Sequence, residues 1–407
     1  MRRPAAATVR AVSVIADDMT GAGDSALQFV RTGWEATLLL SGEAPPRPDL
    51  ASPRIVARST DVRAADRGTA RTTTARAVRA AMATAGDRVY LKIDSTGRGS
   101  LGAQVRGALD AWGEAVPAAA VVCPAYPEAG RTVVDGSLRV DGGPATGGAA
   151  GRDPVTPLTT DDLAALTGGR RARTDEIAGL EPGDIAVVDA RTRGELDAIA
   201  AAVRDAGPRI LPVGSAGLAG SLGRAWNPAP ASGGGRARLP APTDLVFVTS
   251  LHPVSSGQIH HAATHGAAEV HELPADRVPD PAVLARLLGE AAGPPRRCLV
   301  LTTPRQRDGA DSGPGARDIA QRLGEAVAGA IADRAPRVVG LVGGDGAHTV
   351  LAGLGASAAR VLGAIDEGMP ILVLDDGLVP GLVVWTKAGG FGGTDLFTTL
   401  FADSSHR

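Results

Sequence analysis

Several polar clusters in this 407-residue chain carry side chains fit for chemistry. Ala16-Asp-Asp-Met-Thr-Gly-Ala-Gly-Asp24 sets two adjacent carboxylates, Asp17 and Asp18, beside Thr20 and two glycines. A carboxylate there can accept a ligand's hydroxyl proton, and a helix beginning behind it offers free N–H groups. Lys92-Ile-Asp-Ser-Thr-Gly-Arg-Gly99 places two cations around Asp94, with the hydroxyls of Ser95 and Thr96 between them. That composition suits a small anion, and Arg98 can grip a carboxylate bidentately. Arg58-Ser59-Thr60-Asp61-Val62-Arg63 has similar polar content, and Gly130-Arg131-Thr132 adds a further cation. In the second half, Ser250-Leu-His252, Gly343-Gly344-Asp345-Gly346 and Lys387-Ala-Gly-Gly-Phe-Gly392 are turns whose backbone N–H groups can approach phosphate oxygens.

Lys92 and Lys387 are the only two lysines among 42 basic residues. Lysine is a compact charge on a thin stem, whereas arginine is a wide planar fork. A lysine kept in so arginine-rich a chain marks a place where the fork does not serve. Both lie in these clusters.

The elements that must position these residues follow from hydrophobic periodicity. Apolar runs at Val12–Ala16, Ala36–Leu40, Arg54–Ala57, Val89–Ile93, Ala118–Cys123, Ile185–Asp189 and Arg209–Val213 read as strands. Amphipathic stretches near Ala22–Thr32, Thr69–Ala85, Leu101–Trp112 and Arg193–Asp205 read as helices between them. Such alternation predicts a parallel, three-layer α/β sheet. Ligands gather at the carboxyl ends of its strands, where the first three clusters lie. Gly142–Gly151 reads as a surface loop. The stretch 226–242, rich in Pro and Gly, reads as a linker. It separates an N-terminal domain, 1–225, from a C-terminal domain, 243–407. There the pattern restarts with strands at Leu245–Thr249, Cys298–Thr302, Val338–Val342, Ile371–Leu374 and Leu382–Thr386. Helices are expected near Ser255–Thr264, Pro281–Ala291, Asp318–Asp333 and His348–Leu354.

Composition excludes several classes. A net charge of −2 gives no field favouring nucleic acid, and 3% aromatics make base-stacking platforms scarce. No apolar run approaches the ~20 residues of a membrane helix, and the basic N-terminus lacks the apolar core of a signal peptide. Cys123 and Cys298 end apolar runs and read as buried hydrophobes in a reducing compartment. A soluble, cytoplasmic protein is expected. His261 and His265 share a helix face at i, i+4. With no third ligand nearby, they read as ordinary helix residues. Neither a Walker A pattern nor a dinucleotide fingerprint follows the first strand, which disfavours the ordinary P-loop and Rossmann readings and an oxidoreductase.

Taken together, the motifs resemble the four-carbon acid sugar kinase family over nearly the whole chain. Ile15–Asp24, Lys92–Gly99 and Pro124–Gly136 resemble its N-terminal signatures, and Leu341–Asp345 with Thr386–Gly392 its C-terminal ones. The resemblance implies a two-domain kinase with its active site in the cleft between a sugar-acid domain and an ATP domain. The γ-phosphoryl group would pass to a terminal hydroxyl, normally with Mg²⁺, whose ligands stay unassigned. On that basis Asp17 and Asp18 are candidates for binding the substrate hydroxyl, one of them orienting or deprotonating it, and Asp94 is the rival base. Lys92, Arg98 and Arg131 would hold the substrate carboxylate or neutralise the transferring phosphate, with Thr20, Ser59, Arg63, Ser95 and Thr96 completing the acid site. Ser250, His252, Gly343, Gly344, Asp345, Gly346, Lys387, Gly389, Gly390 and Gly392 would cradle the nucleotide.

The chain departs from the family pattern in places. Thr249-Ser-Leu-His252 replaces a small, Ser-rich run, Gly346 stands where Thr is usual, Ala364 where Glu is frequent, and Gly97 where an apolar residue is usual. A kinase for another small hydroxy acid, such as 4-hydroxythreonine, and a non-catalytic metabolite-binding member are the alternatives. Homo-oligomer formation is left open.

Overall fold

A computed structural model of the chain describes residues 9–41, 53–84, 87–153, 155–227, 237–274, 278–293, 297–303 and 314–401. The N-terminal residues 1–8 and most of the expected linker, 228–236, lie outside the described residues. The chain divides into two compact units, one formed by 1–39 and 43–234, the other by 40–42 and 235–407.

In the first unit, strands β1 (Ala11–Ala16), β2 (Glu35–Leu39), β3 (Arg54–Ser59), β4 (Arg88–Lys92) and β5 (Ala119–Cys123) alternate with helices α1 (Met19–Val30), α2 (Arg67–Thr84) and α3 (Leu101–Gly113). After β5 comes a small antiparallel sheet of β6 (Arg131–Val134), β7 (Ser137–Val140) and β8 (Gly143–Pro144). Then follow α4 (Leu163–Thr167), β9 (Arg170–Ala172), β10 (Ile185–Val188), α5 (Arg193–Ala206), β11 (Ile210–Gly214) and α6 (Ala216–Trp226). The main sheet runs β2-β3-β1-β4-β11-β5-β10-β9, and every pairing in it is parallel. β1, β5 and β11 are buried along their whole length, as a sheet covered on both faces demands of its central strands. β9, at the edge, carries the exposed Arg170 and Arg171, which blunt further pairing.

The second unit holds β12 (Leu245–Val248), β13 (Ala268–Glu272), β14 (Cys298–Thr302), β15 (Val338–Val342), β16 (Ala358–Ala364), β17 (Pro370–Leu374) and β18 (Val383–Lys387). Its helices are α7 (Pro253–Thr264), α8 (Pro281–Ala291), α9 (Pro314–Arg334), α10 (Gly344–Gly353) and α11 (Leu396–Phe401). The order is β13-β14-β12-β15-β18-β17-β16. The first five are mutually parallel, but β17 is antiparallel to both neighbours. This corrects the all-parallel expectation. The connections 365–369 and 375–382 are hairpin-length, and a parallel return needs a dozen residues or more. Buried Trp385 of β18 fills the core here, its indole N–H donating to Thr243 Oγ1 at 3.0 Å.

Other expectations need correction. Gly142–Gly151 is no bare surface loop, because it contains β8 and buries Ala145 and Ala150. β9 escaped the reading because it is short, β13 because polar residues interrupt it, and β16 because it is rich in Ala and Gly around Arg360. The helices α1 and α10 begin at Met19 and Gly344, earlier than Ala22 and His348. Glycine's low helix propensity hides those starts, while a side-chain cap at Asp18 and a left-handed Gly343, φ 108°, define them. No helix of the described residues is long and apolar enough to cross a membrane. Both cysteines are buried and free, and burial pushes the Cys123 thiol up to about 12.

Candidate functional site

β3, β1 and β4 are neighbours in one parallel sheet, so their carboxyl ends meet at one edge. There Asp17 and Asp18 follow β1, Ser59 to Arg63 follow β3, and Lys92 closes β4. The backbone stitches these turns together. Thr60 N and Oγ1 both donate to Ala16 O at 2.8 Å, and Val62 N donates to Asp17 O at 3.1 Å. This aims Arg63 across the edge. Its Nε and Nη2 donate to Asp17 at 2.8 and 3.0 Å, and Nη2 also lies 2.8 Å from Asp18 and 3.6 Å from Asp94. Arg98 grips Asp94 through Nε at 3.0 Å and Nη2 at 2.9 Å, and turns Nη1 toward Asp153 at 3.1 Å. The Thr96 N–H adds a 3.1 Å bond to Asp94, joined by the Thr96 hydroxyl.

The three carboxylates have different standing. Asp17 has no exposed side-chain surface, and both its oxygens face Arg63. Burial raises its pKa against the Arg63 charge. Asp94 is 7% exposed. Burial pushes it upward, yet Arg63, Arg98 and their hydrogen bonds hold it far below the usual carboxylate range. Asp18 is the most open at 17%. Burial raises it too, but Arg63 and Lys92 outweigh that and keep it ionised. It caps α1 by accepting from Gly21 N at 2.8 Å, and Thr20 Oγ1 donates to its other oxygen.

Lys92 differs from both arginines. It is buried, yet its ammonium has no hydrogen bond or ion pair among the described residues. It faces Gly21, where an added β-carbon would stand 2.7 Å from Nζ and would also collide with Asp18 Oδ1. Gly21 therefore keeps open the space between a spare cation and an accessible carboxylate. Ser95 carries a hydroxyl likewise without a partner among the described residues.

Ser59 accepts from Asp61 N at 3.1 Å and shapes its turn. Arg131 opens β6, where its Nη1 folds back onto Ala129 O, and it has no hydrogen bond or ion pair to these carboxylates among the described residues.

In the second unit, β12, β15 and β18 are adjacent and parallel, so three turns again meet at one edge. Ser250 N donates to Val342 O at 3.3 Å and Gly343 N to Lys387 O at 3.0 Å. Gly389 lies so close to Ser250 Oγ that no side chain fits, and Gly390 faces the His252 ring. His252 caps α7 by accepting from Val254 N through Nδ1 at 3.2 Å, which leaves Nε2 as the N–H donor. Asp345 sits in the first turn of α10 without a side-chain partner among the described residues. Lys387 is not free for a ligand. It is 1% exposed, and Nζ donates to the backbone oxygens of Gly389, Phe391 and Ala388 at 3.0, 3.1 and 3.3 Å. Burial pushes it down to about 8. Ser255 and Gln258, buried beneath the same loop, were missed in the sequence. Their signal is polar residues at i, i+3 on the inward stripe of α7, beside Ile259 and Ala262. His261 bonds Thr398 Oγ1 at 2.8 Å and its ring stacks on His265. No group of three metal-ligating side chains occurs among the described residues.

The first unit thus presents a polar edge for a hydroxylated anion, and the second a glycine-lined edge for phosphate. Family models agree with this division. Residues 12–222 match a sugar-binding N-terminal domain and 245–397 a nucleotide-binding C-terminal domain. Over 401 residues, 95% of each chain, the protein is 36% identical to a D-threonate kinase of Bordetella bronchiseptica. It is 30% identical to a D-threonate kinase of Salmonella typhimurium, over 93% of this chain and 95% of that one. A D-erythronate kinase of Heliobacterium modesticaldum is 30% identical over 55% of each chain. A solved structure from Salmonella typhimurium LT2 shares the fold, with a TM-score of 0.76 at 21% identity over 95% of this chain and 98% of that one. The fold and site define a two-domain α/β phosphotransferase with a hydroxyl acceptor. The chain belongs to the four-carbon acid sugar kinase family and is a kinase of four-carbon acid sugars.

Proposed function

We propose that the chain is a soluble, cytoplasmic, ATP-dependent kinase that phosphorylates a terminal hydroxyl of D-threonate. The acid is the one named for its relatives at 36% and 30% identity over nearly full length. The assignment of roles is carried by one observation: a spare ammonium, Lys92, and an accessible carboxylate, Asp18, share the space above Gly21.

In the reaction, the acceptor oxygen forms a bond to the γ-phosphorus, the bond to the ADP oxygen breaks, and the hydroxyl proton passes to Asp18. The transition state is loose, so orientation matters more than base strength. An ionised carboxylate with a low pKa is adequate for that role. Lys92 offsets the charge of the phosphoryl group in flight. Asp94 and Asp17 hold Arg98 and Arg63 in place. The unspent N–H groups of Arg98, with the Ser95 hydroxyl, take the acid's carboxylate.

The nucleotide phosphates lie against the glycine turns at Ser250, Gly343–Gly346 and Gly389–Gly392, with His252 Nε2–H as a side-chain donor. Mg²⁺ is usually held by one or two carboxylates together with substrate phosphates. Asp345, without a side-chain partner among the described residues at the start of α10, is one hard oxygen donor that fits it. Bound there, the ion would neutralise charge on the β- and γ-phosphates.

The test is ADP release with Mg²⁺-ATP across D- and L-threonate, D- and L-erythronate, their 2- and 3-oxo forms and 4-hydroxythreonine. Highest kcat/KM on D-threonate supports the proposal, and a preference for another acid replaces that substrate. ATP-induced thermal stabilisation without ADP release on any acid would point to a binding role.

A further inference from the structure

Lys387 was expected to bind phosphate, but its surroundings describe another task. Its Nζ donates to the carbonyls of Gly389, Phe391 and Ala388, and reaches Ser255 Oγ at 3.4 Å. Ser255 Oγ also donates to Gly389 O, at 2.8 Å. Gln258, fully buried on α7, donates through Nε2 to the carbonyls of Gly393, Phe391 and Gly392 at 2.9, 3.1 and 3.1 Å. Loop carbonyls at 388, 389, 391, 392 and 393 are thus all pulled inward, and no carboxylate pairs with Lys387 among the described residues.

A trans peptide is planar, and its C=O and N–H point in opposite directions. The carbonyls of 388, 389, 391 and 392 share peptide planes with the N–H groups of Gly389, Gly390, Gly392 and Gly393. None of these four N–H groups has an acceptor among the described residues. An ammonium that clamps a carbonyl from behind also polarises the peptide, so the N–H in front becomes a better donor.

We propose that Lys387 and Gln258 are positioning residues that clamp the 388–393 loop from beneath and turn its amide N–H groups outward as the phosphate receptor for the nucleotide. This rests on the ATP-kinase reading. The lysine's charge reaches the phosphate through peptide dipoles rather than by contact. It also explains why lysine was kept: a guanidinium fork is too wide to sit inside a ring of carbonyls.

The experiment compares wild type, Lys387→Met, Gln258→Leu and the double variant, by KM for ATP, KM for D-threonate, and the thermal shift given by D-threonate alone. Each single variant should raise KM for ATP about tenfold or more, as expected when several amide–phosphate bonds lose their alignment. KM for D-threonate should stay within about twofold, because the acid site belongs to the other unit. The double variant should fall well short of the product of the two effects, since both residues hold one loop. Retained ADP release at saturating ATP shows that a variant's second unit is folded, and a retained D-threonate shift shows the same of its first. For any variant lacking either, the conservative Gln258→Asn is measured instead, with the same expected direction. If Gln258→Leu leaves KM for ATP unchanged while Lys387→Met raises it, Lys387 contacts phosphate itself and the proposal is overturned. Multiplicative effects in the double variant overturn it as well. If wild type binds ATP and neither variant changes its KM, the clamp fails while the kinase reading stands. If wild type does not use ATP at all, both fall together.

Discussion

Replacing Gly21 with Ala tests the proposed acid site with the smallest available change. A β-carbon at this position would stand 2.7 Å from Lys92 Nζ and overlap Asp18 Oδ1. Such atoms rest about 3.5 Å apart, so the ammonium must retreat by about 0.8 Å and the carboxylate must shift too. Misplacing reacting groups by about 1 Å costs on the order of 100-fold in rate. Stability should change far less. Ala in a helix gains about 0.5–1 kcal/mol over Gly, against about 1–3 kcal/mol for overpacking. The net loss is about 1–2 kcal/mol, a fall in Tm of a few degrees. Gly113→Ala is the control, because it ends α3 with nothing within 4 Å of the added carbon. ADP release and thermal unfolding would be measured on all three proteins. If Gly21→Ala keeps more than half of wild-type kcat/KM, the space between Asp18 and Lys92 is not where phosphoryl transfer is organised.

Asp18→Asn should lower kcat about 100-fold or more with little change in Tm, because Asn caps a helix nearly as well as Asp. Asp94→Asn should instead cost stability, about 2 kcal/mol, by leaving Arg98 short of its main partner; the reverse pattern would exchange their roles. Because Asp94 is held below its ordinary value of 3.8, its stabilisation is complete above that pH and fades as pH falls further. Denaturation midpoints of wild type and Asp94→Asn should therefore converge in acid. KM for ATP should rise as pH climbs through about 8, where Lys387 loses its proton, while KM for D-threonate stays flat; loss of this rise in Lys387→Met checks the assignment. The stability contribution has the opposite sign. Between about 8 and 10.5 the unfolded chain holds more protons, so stability gains with pH in that window. Gly346→Thr alone should weaken ATP use and lower Tm, and adding Thr249→Ser should restore much of both.

Much of the first unit's edge was legible because β1, β3 and β4 each read as an apolar run followed by a polar turn, and in a parallel sheet such turns fall at one edge. Asp17, Asp18, Arg63, Lys92, Asp94 and Arg98 are brought together as their positions after strands suggested. Which cations already engage carboxylates was not legible. Arg63 and Arg98 do, although Arg98 keeps N–H groups unused, and one of its partners, Asp153, lies about 55 residues downstream in a stretch with no apolar period. Arg131 looked equivalent in sequence, but its guanidinium turns back onto the Ala129 carbonyl. Lys387 was conspicuous for its rarity. Yet rarity tells only that arginine does not serve there, not whether the ammonium faces a ligand or its own backbone.

The departures on the nucleotide side show how packing recasts a sequence comparison. Thr249 and Gly346 looked like two independent losses from the family pattern, one gaining bulk and the other losing a hydroxyl. In the fold they are a single feature. Thr249 N and Oγ1 both bond Val342 O, at 2.8 and 3.3 Å, which sets the side chain against the first turn of α10. An added β-carbon at Gly346 would stand 2.6 Å from Thr249 Oγ1 and collide with its methyl group. Bulk at 249 therefore requires glycine at 346, and a threonine at 346 requires something smaller at 249. A hydroxyl stays at this edge either way, carried on the strand end instead of the helix. The two positions pack as one unit that keeps a hydroxyl at this turn, so under the proposed nucleotide role the change argues for a site that has been rebuilt rather than one that has decayed.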